Sequence, residues 1–532
     1  MVRSLFCTLT LIMLALFLAI PATSHAEIDL MDGKLILSGF VKNTTYYRLN
    51  GYDREFKSGP RTNGQNLSNH KSHWDFSNFS ALLEALYTIK DDQESTIRIF
   101  GGFKAWYMAT PDYDSEVGDA MYGHDRRDYR APRKFDDVVG ELYLDYINGP
   151  WQVRTGKQIV IWGQLDMSRV ADVVNPLDLR WGVPGIDTWE EVKQGLWMIR
   201  TFYQSQLPGN LLFEVILNPG YFASLKLPYE GTHWGPEYFK NNTTANRNQG
   251  FFSWMQNKWF RDEPSTWDID NYEIGGRVQG YTWDIDWTIL VWNALQDAPG
   301  NVNVPEAIDF NGDYFQGPQP EYSDYGTVYK YKRYTTVGGT AQTFTNFLNT
   351  VWRLEWFYEI DSPVVLGLGS NTQNLYANDR ADIVGVALQG NWNLDIPWWT
   401  QVIGTGKQAS LNITYFQERV VSNWDPDMCL ADRNHRANDK MGDSWTMFFM
   451  QQMFNASWTF VFIGNYYPQL HKWMAVPSFT YVFADSGNFS GLRADIGAKF
   501  YGGAKQKYKE ENGVSNAAAM RDSLILRLRY EF

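Results

Sequence analysis

The chain has 532 residues, a formal net charge of −13 and only two cysteines, Cys7 and Cys429. Aromatic residues make up 16% of it, with 23 Trp and 31 Tyr, while the mean hydropathy is −0.39. The acidic balance excludes the basic face that nucleic-acid binding requires, and a single cysteine outside the leader excludes an intramolecular disulfide framework.

The N-terminus reads as a secretory signal. Arg3 precedes an apolar run from Leu5 to Ile20, and Ser24-His25-Ala26 supplies a small-residue cleavage site, which places cleavage after Ala26. Removing Arg3 with the leader takes the formal charge from −13 to −14. The run is too short for a comfortable transmembrane helix, and no apolar window of 18 residues follows it. A backbone that crosses a bilayer without such helices must pair its strands in a closed barrel. Trp and Tyr in this number then fit the aromatic girdles at the two membrane interfaces. An aromatic-rich carbohydrate-binding β-protein is the soluble alternative.

In chain order, alternation predicts 18 strands: 34–48, 76–90, 95–109, 136–147, 151–162, 195–205, 210–218, 271–282, 285–295, 326–338, 348–360, 381–392, 409–420, 443–453, 457–466, 472–483, 489–501 and 522–532. The expected fold is an all-β, transmembrane, antiparallel up-and-down barrel. Short turns, such as Asp91–Glu94, Asn148–Pro150 and Phe454–Ser457, fall on one side, expected to be periplasmic. Long loops fall on the other, at 49–75, 110–135, 163–194, 219–270, 296–325, 361–380, 421–442 and 502–521.

The last segment shows the pattern best. Leu524, Leu526, Leu528, Tyr530 and Phe532 share one face, and Ile525, Arg527, Arg529 and Glu531 the other. A terminal Phe after alternating apolar residues resembles the assembly signal of outer-membrane barrels, which implies the barrel assembly machinery as a partner. Charges within spanning segments are tolerable only toward the lumen, because each facing lipid would cost about 2–4 kcal/mol at mid-bilayer. Candidate lumen charges are therefore Arg98, Lys104, Glu141, Arg154, Arg200, Glu214, Arg277, Arg353, Glu355, Arg493, Asp495, Lys499, Arg527 and Arg529. They would either steer solutes or pair across strands to stabilise the wall. Segments 443–453 and 457–466 break the alternation, with Phe448, Met450, Val461 and Ile463 opposing Trp445, Met447, Trp458, Phe460 and Phe462. One apolar face would line a track for a hydrophobic solute, or pack under a plug or an oligomer contact.

The segment 163–194 mixes Asp166, Arg169, Asp172, Asn175, Asp178, Arg180, Asp187, Glu190 and Glu191 with Val173, Val174, Leu177, Trp181 and Trp189. Apolar residues among charges mark an ordered segment. It would serve as a constriction inside the pore, as an extracellular cap, or as a partner surface, and the first reading assigns Asp166, Arg169, Asp172, Asn175, Asp178 and Arg180 to the constriction.

Catalysis has no support. His70, His73, His124, His233, His435 and His471 all fall in loops, where none stands beside a Ser or Asp on a strand. His70, His73 and Asp75, or Asp425, Asp427 and Asp432, are weak metal patterns, so no metal, cofactor or enzymatic activity is expected.

Gly156-Lys157-Gln158, Trp162-Gly163 and Asp172-Val173-Val174-Asn175-Pro176-Leu177-Asp178 resemble the signature of a large uncharacterised family of proteobacterial, porin-like outer-membrane barrels. The stretch from Trp445 through Gly503, including Tyr481-Val482-Phe483 and Phe500-Tyr501-Gly502-Gly503, also resembles that family. The resemblance implies a barrel over the whole mature chain, in contact with outer-membrane lipid and lipopolysaccharide, and an association with systems that move hydrophobic compounds. Three functions remain: a channel for small solutes, an outer-membrane transport component working with an inner-membrane efflux partner, and an adhesin or structural barrel, to which the Trp-rich 219–270 points.

Overall fold

A computed structural model describes residues 27–49, 74–109, 132, 135–166, 168–178, 189–220, 261–262, 264–265, 267–296, 300–303, 327–346, 349–366, 378–395, 408–423, 428–429, 440–454, 456–469, 471–483, 491–503 and 522–532. The leader, Arg180 and most of the long loops lie outside these, as do the five histidines other than His471 and the aspartates at 425, 427 and 432.

Eighteen antiparallel strands form a closed barrel, and two short strands, Ile28–Leu30 and Met428–Cys429, pair onto the same sheet. The eighteen are β1 (Leu35–Arg48), β2 (Trp74–Asp91), β3 (Ser95–Ala109), β4 (Val139–Asn148), β5 (Trp151–Gln158), β6 (Leu196–Gln204), β7 (Leu212–Asn218), β8 (Glu273–Thr282) and β9 (Ile285–Leu295), followed by β10 (Arg333–Thr345), β11 (Thr350–Leu366), β12 (Asn378–Leu394), β13 (Ala409–Ser422), β14 (Met441–Met453), β15 (Trp458–Tyr467), β16 (Lys472–Val482), β17 (Leu492–Gly503) and β18 (Ser523–Glu531). Each pairs with its sequence neighbours, and β18 closes on β1 from Phe40↔Glu531 to Arg48↔Ser523. Gly39 and Phe532 extend the seam by exchanging backbone hydrogen bonds of 2.9 and 3.0 Å. Closure leaves no barrel edge unpaired, which is what a backbone surrounded by hydrocarbon requires.

Alternation sorts the side chains as expected. Phe79, Leu354, Val386, Leu388, Ile496, Leu526 and Leu528 are exposed on the outer face. Their strand neighbours Ser80, Glu355, Gln389 and Ile525 are buried on the inner one. A continuous outward apolar belt of this kind has lipid as its solvent.

One strand differs from the sequence reading by about half its length. The strand β10 is expected at 326–338. In the structure it runs Arg333–Thr345, and Gly338 and Gly339 lie inside it. A Cβ at Gly339 would stand 2.5 Å from the Thr288 carbonyl and 2.9 Å from the Trp356 indole nitrogen, so the glycines permit close strand approach. The turn is the shorter 346–349, with Asn349 at φ 49°. The loops add a second, small sheet outside the barrel, in which Gly300–Asn303 pairs with Thr327–Lys330 and that strand pairs with Arg261–Asp262.

Candidate functional site

The wall is left behind after β5. Val160 and Trp162 continue the alternation and read as strand, yet the strand ends at Gln158. The two side chains are fully buried against Leu196, Met198, Ile216, Leu290 and Trp292 of neighbouring strands. Their apolar character therefore serves the packing of a segment that turns inward, with Trp162 edge-on to Trp292 at 5.9 Å.

Asn175 holds this segment together. Its side-chain oxygen accepts from the Val160 amide at 2.7 Å, and its nitrogen donates to the carbonyls of Gln158 at 3.1 Å and Gln194 at 2.7 Å. The beginning, middle and end of the segment thus meet at one buried amide, and a buried amide must find such partners or destabilise the fold. Arg169 donates to the carbonyls of Asp172 at 2.8 Å and Asn175 at 2.7 Å. The Asp172 carboxylate lies 3.4 Å from Arg169 and 2.5 Å from Lys193. Asp178 is buried and its amide donates to the Val192 carbonyl at 2.6 Å. The sequence signature from Gly156 to Asp178 is thus largely the internal scaffold of the segment.

The segment is anchored to inward-facing groups on both sides of the ring. Glu355, in β11, accepts from the amides of Gln164, Leu165 and Ala171, the last two at 2.9 Å. Asp166 accepts from Arg353 at 2.9 Å and from Gln389 and Asn412 at 2.8 Å each. These partners lie near the start of β11, the end of β12 and the start of β13, at the barrel end that carries the 346–349 turn and the longer 395–408 link, and Leu165 and Val170 pack on Phe357, Ile383 and Val420 beside Asp166. The Trp162 indole donates to Glu214 at 3.2 Å, and Glu214 also bridges Arg200 at 2.8 Å and Arg277 at 2.5 Å. On the other side, Glu191 pairs with Lys42 of β1 at 2.8 Å. Lys104 of β3 donates to the carbonyls of Glu191 at 3.5 Å and Lys193 at 3.3 Å. Between the segment and the wall of β1–β4 and β18 lies a cavity of about 280 Å³.

The other candidate lumen charges also face inward, but their contacts are mostly with carboxylates of the wall. Arg154 pairs with Asp145 at 2.9 Å, Arg493 with Glu531 at 2.7 Å and Arg529 with Glu531 at 2.8 Å. Arg527 stands directly across from Asp495 in the β17–β18 register. Lys499 is buried, with its ammonium over the rings of Tyr46 and Tyr501. Arg98 reaches Asp91 only at 3.9 Å. Sequence reasoning passed over Lys42, Gln389 and Asn412; each is a polar residue on the inward phase of its strand, and that phase is the one available signal.

The two-faced segments resolve into an outer and an inner wall. Trp445, Met447 and Trp458 point outward, while Ile463 packs inward with Tyr46, Trp106, Val476 and Ile525, flanked by Phe448, Val461 and Met474. None of the described residues of 163–194 belongs to this inner apolar patch. Among the described residues no group of three or more His, Cys, Asp or Glu is placed to hold a metal ion.

The closed 18-stranded ring with its outward apolar belt defines a transmembrane, antiparallel up-and-down β-barrel. Solved structures resemble the chain at low identity. OccK2 (OpdF) of Pseudomonas aeruginosa, in complex with glucuronate, is 9% identical with a TM-score of 0.46, over 96% of this chain and 99% of that one. OccAB3 of Acinetobacter baumannii is 9% identical with a TM-score of 0.44, over 93% and 99%. OmpF of Salmonella typhi, in complex with daunomycin, is 9% identical with a TM-score of 0.41, over 95% and 100%. No family model matches the chain, and no curated protein matches it.

Proposed function

We propose that the protein is an outer-membrane channel of a Gram-negative cell that passes small solutes through its lumen, with 163–194 as the constriction. The observation that carries this reading is the anchoring of that segment to inward-facing groups on both β11–β13 and β1–β3, with a cavity left beside it. A barrel of this strand number has an aqueous interior, and an inward segment sets what passes. The apolar outer belt supports residence in a membrane with lipopolysaccharide in its outer leaflet, reached through the barrel assembly machinery. In this orientation the short turns are periplasmic. Purified protein in a planar bilayer is expected to give discrete conductance steps, and a protein that inserts but stays electrically silent would overturn the reading.

A second reading is passage of hydrophobic compounds in concert with an inner-membrane efflux partner. The inner apolar patch of Trp106, Ile463, Val476 and Ile525 favours it, and the resemblance of the Gly156–Asp178 signature agrees. Deletion of the gene is then expected to change cellular accumulation of hydrophobic dyes; unchanged accumulation counts against it. The Trp-rich 219–270, which carries the adhesin reading, lies outside the described residues.

A further inference from the structure

The chamber beside the inward segment is lined by two carboxylates that make no direct ion pair. Glu84 of β2 and Glu141 of β4 occupy one register row, with Gly102 of β3 between them. The glycine has no side chain, so the two carboxylates flank a low floor about two strand spacings wide, roughly 10 Å, with the Phe100 ring at its edge, 3.5 Å from where a Gly102 Cβ would stand. Ser38 donates to Glu84 at 3.5 Å, and the Ile159 amide donates to Glu141 at 2.8 Å. Among the described residues no cation stands within ion-pair distance of either carboxylate. The nearby cations are engaged elsewhere. Arg529 pairs with Glu531. Lys104 lies across Gly140, where a Cβ would stand 2.7 Å from its Cε, and delivers its ammonium to the segment's carbonyls.

A second observation points to a ligand independently. Ser80 lines the same chamber, is 8% exposed, and its Oγ has no hydrogen-bond partner. A buried hydroxyl in that state costs free energy until something bonds to it. Ser80 lies four residues along β2 from Glu84, roughly 13 Å, and apolar Leu82 and Phe40 face the space between them.

We propose that this chamber binds a small organic cation. Its ammonium head would sit between Glu84 and Glu141, its aromatic or apolar body would lie along Phe40 and Leu82, and a hydrogen-bonding group at its far end would reach Ser80. The proposal rests on the channel reading, because the inward segment forms one side of the chamber. A cation there gains two carboxylates in a partly desolvated site and an aromatic wall; an anion meets two like charges.

The test uses the full chain, with tyramine, phenethylammonium and 4-hydroxyphenylacetate as probes. Calorimetry in detergent measures binding, and current block in planar bilayers measures occupancy during conduction. Tyramine is expected to bind and block. Phenethylammonium, which lacks the hydroxyl, is expected to bind about fivefold more weakly for the loss of one hydrogen bond, and 4-hydroxyphenylacetate is expected not to bind. Paired Glu84→Gln and Glu141→Gln substitutions keep the hydrogen bonds and remove the charge; they are expected to weaken tyramine by about tenfold or more, with Asp at both positions restoring part of it. Ser80→Ala is expected to erase the difference between tyramine and phenethylammonium. Equal binding of cation and anion, or unchanged tyramine binding in the Gln variant, overturns the proposal. Should that variant fail to fold, the cation–anion comparison on the native chain decides alone. Conductance without charge-selective binding defeats the site and leaves the channel; charge-selective binding by a silent barrel does the reverse.

Discussion

The two sides of the lumen use the same residue types for opposite purposes. On the β5–β13 side, carboxylates hold the inward segment: buried Glu355 takes three backbone amides, buried Glu214 takes the Trp162 indole between two arginines, and the segment's own, more exposed Asp166 takes Arg353, Gln389 and Asn412. On the side of β18 and β1–β4, Glu84 and Glu141 face a cavity with one hydrogen bond each. Glu355 and Glu214 are structural because both oxygens of each accept hydrogen bonds, and a saturated buried acceptor has nothing left to offer a solute. The second set is open to one. What distinguishes them is whether chain from elsewhere covers the row, which strand phase alone does not reveal.

The largest effect expected from breaking this division is at Glu355. Glu355→Gln replaces a carboxylate that accepts three amides with a group that accepts fewer and adds donors of its own, at a cost of about 2–5 kcal/mol to the local stability of the segment. Single-channel conductance is expected to rise well above wild type, and protease cleavage within 163–178 to appear in the intact barrel. Wild-type conductance with wild-type protection would mean that the segment does not depend on that wall. Lys42→Met tests the opposite anchor. It leaves Glu191, whose side chain is 10% exposed, without its 2.8 Å ion pair. The expected loss is smaller, about 1–3 kcal/mol, because Lys104 still holds the carbonyls of Glu191 and Lys193. The current is expected to flicker between sublevels instead of settling at a higher one, and a record indistinguishable from Glu355→Gln would show that the two anchors are not independent.

The barrel was legible because a membrane enforces a strict rule. Each strand must alternate, and a charge out of phase is costly, so Leu526 and Leu528 or Arg353 and Glu355 declare their faces from sequence. The errors fall where two physical causes leave one pattern. Val160 and Trp162 alternate like strand residues but do so to pack the inward segment. Gly338-Gly339 punctuates like a turn but permits close approach of β9 and β11 to β10. The inward segment was recognisable as ordered from its apolar residues among charges. Its anchoring was not, since the partners of Asp166 lie on strands more than 180 residues away along the chain. Asn175 could be singled out only as part of a signature; its three-way bridge is a property of the folded path.

The smallest expected effect comes from a site that belongs to neither side of the lumen, and it serves as the control for both. Asp92 lies in the short turn between β2 and β3, where its carboxylate pairs with Lys90 at 2.9 Å and accepts from the amides of Glu94 at 3.0 Å and Ser95 at 2.9 Å. The Lys90 ammonium first, and then the two amides, hold its carboxyl below the ordinary aspartate value of 3.8. A depressed folded-state value means a stabilising contribution that is complete above the unfolded value and disappears as the pH falls through the folded one. Asp92→Asn is therefore expected to differ from wild type only above that range, and by little, because the turn is fully solvated and exposed pairs contribute least. Thermal melts in detergent at neutral pH and below the carboxylate range measure the difference, which should shrink on acidification. Conductance is expected to stay at the wild-type value throughout. A change in conductance as large as that of Lys42→Met would show that loosening any part of the wall alters the pore, and the separate roles assigned to its two sides would fail.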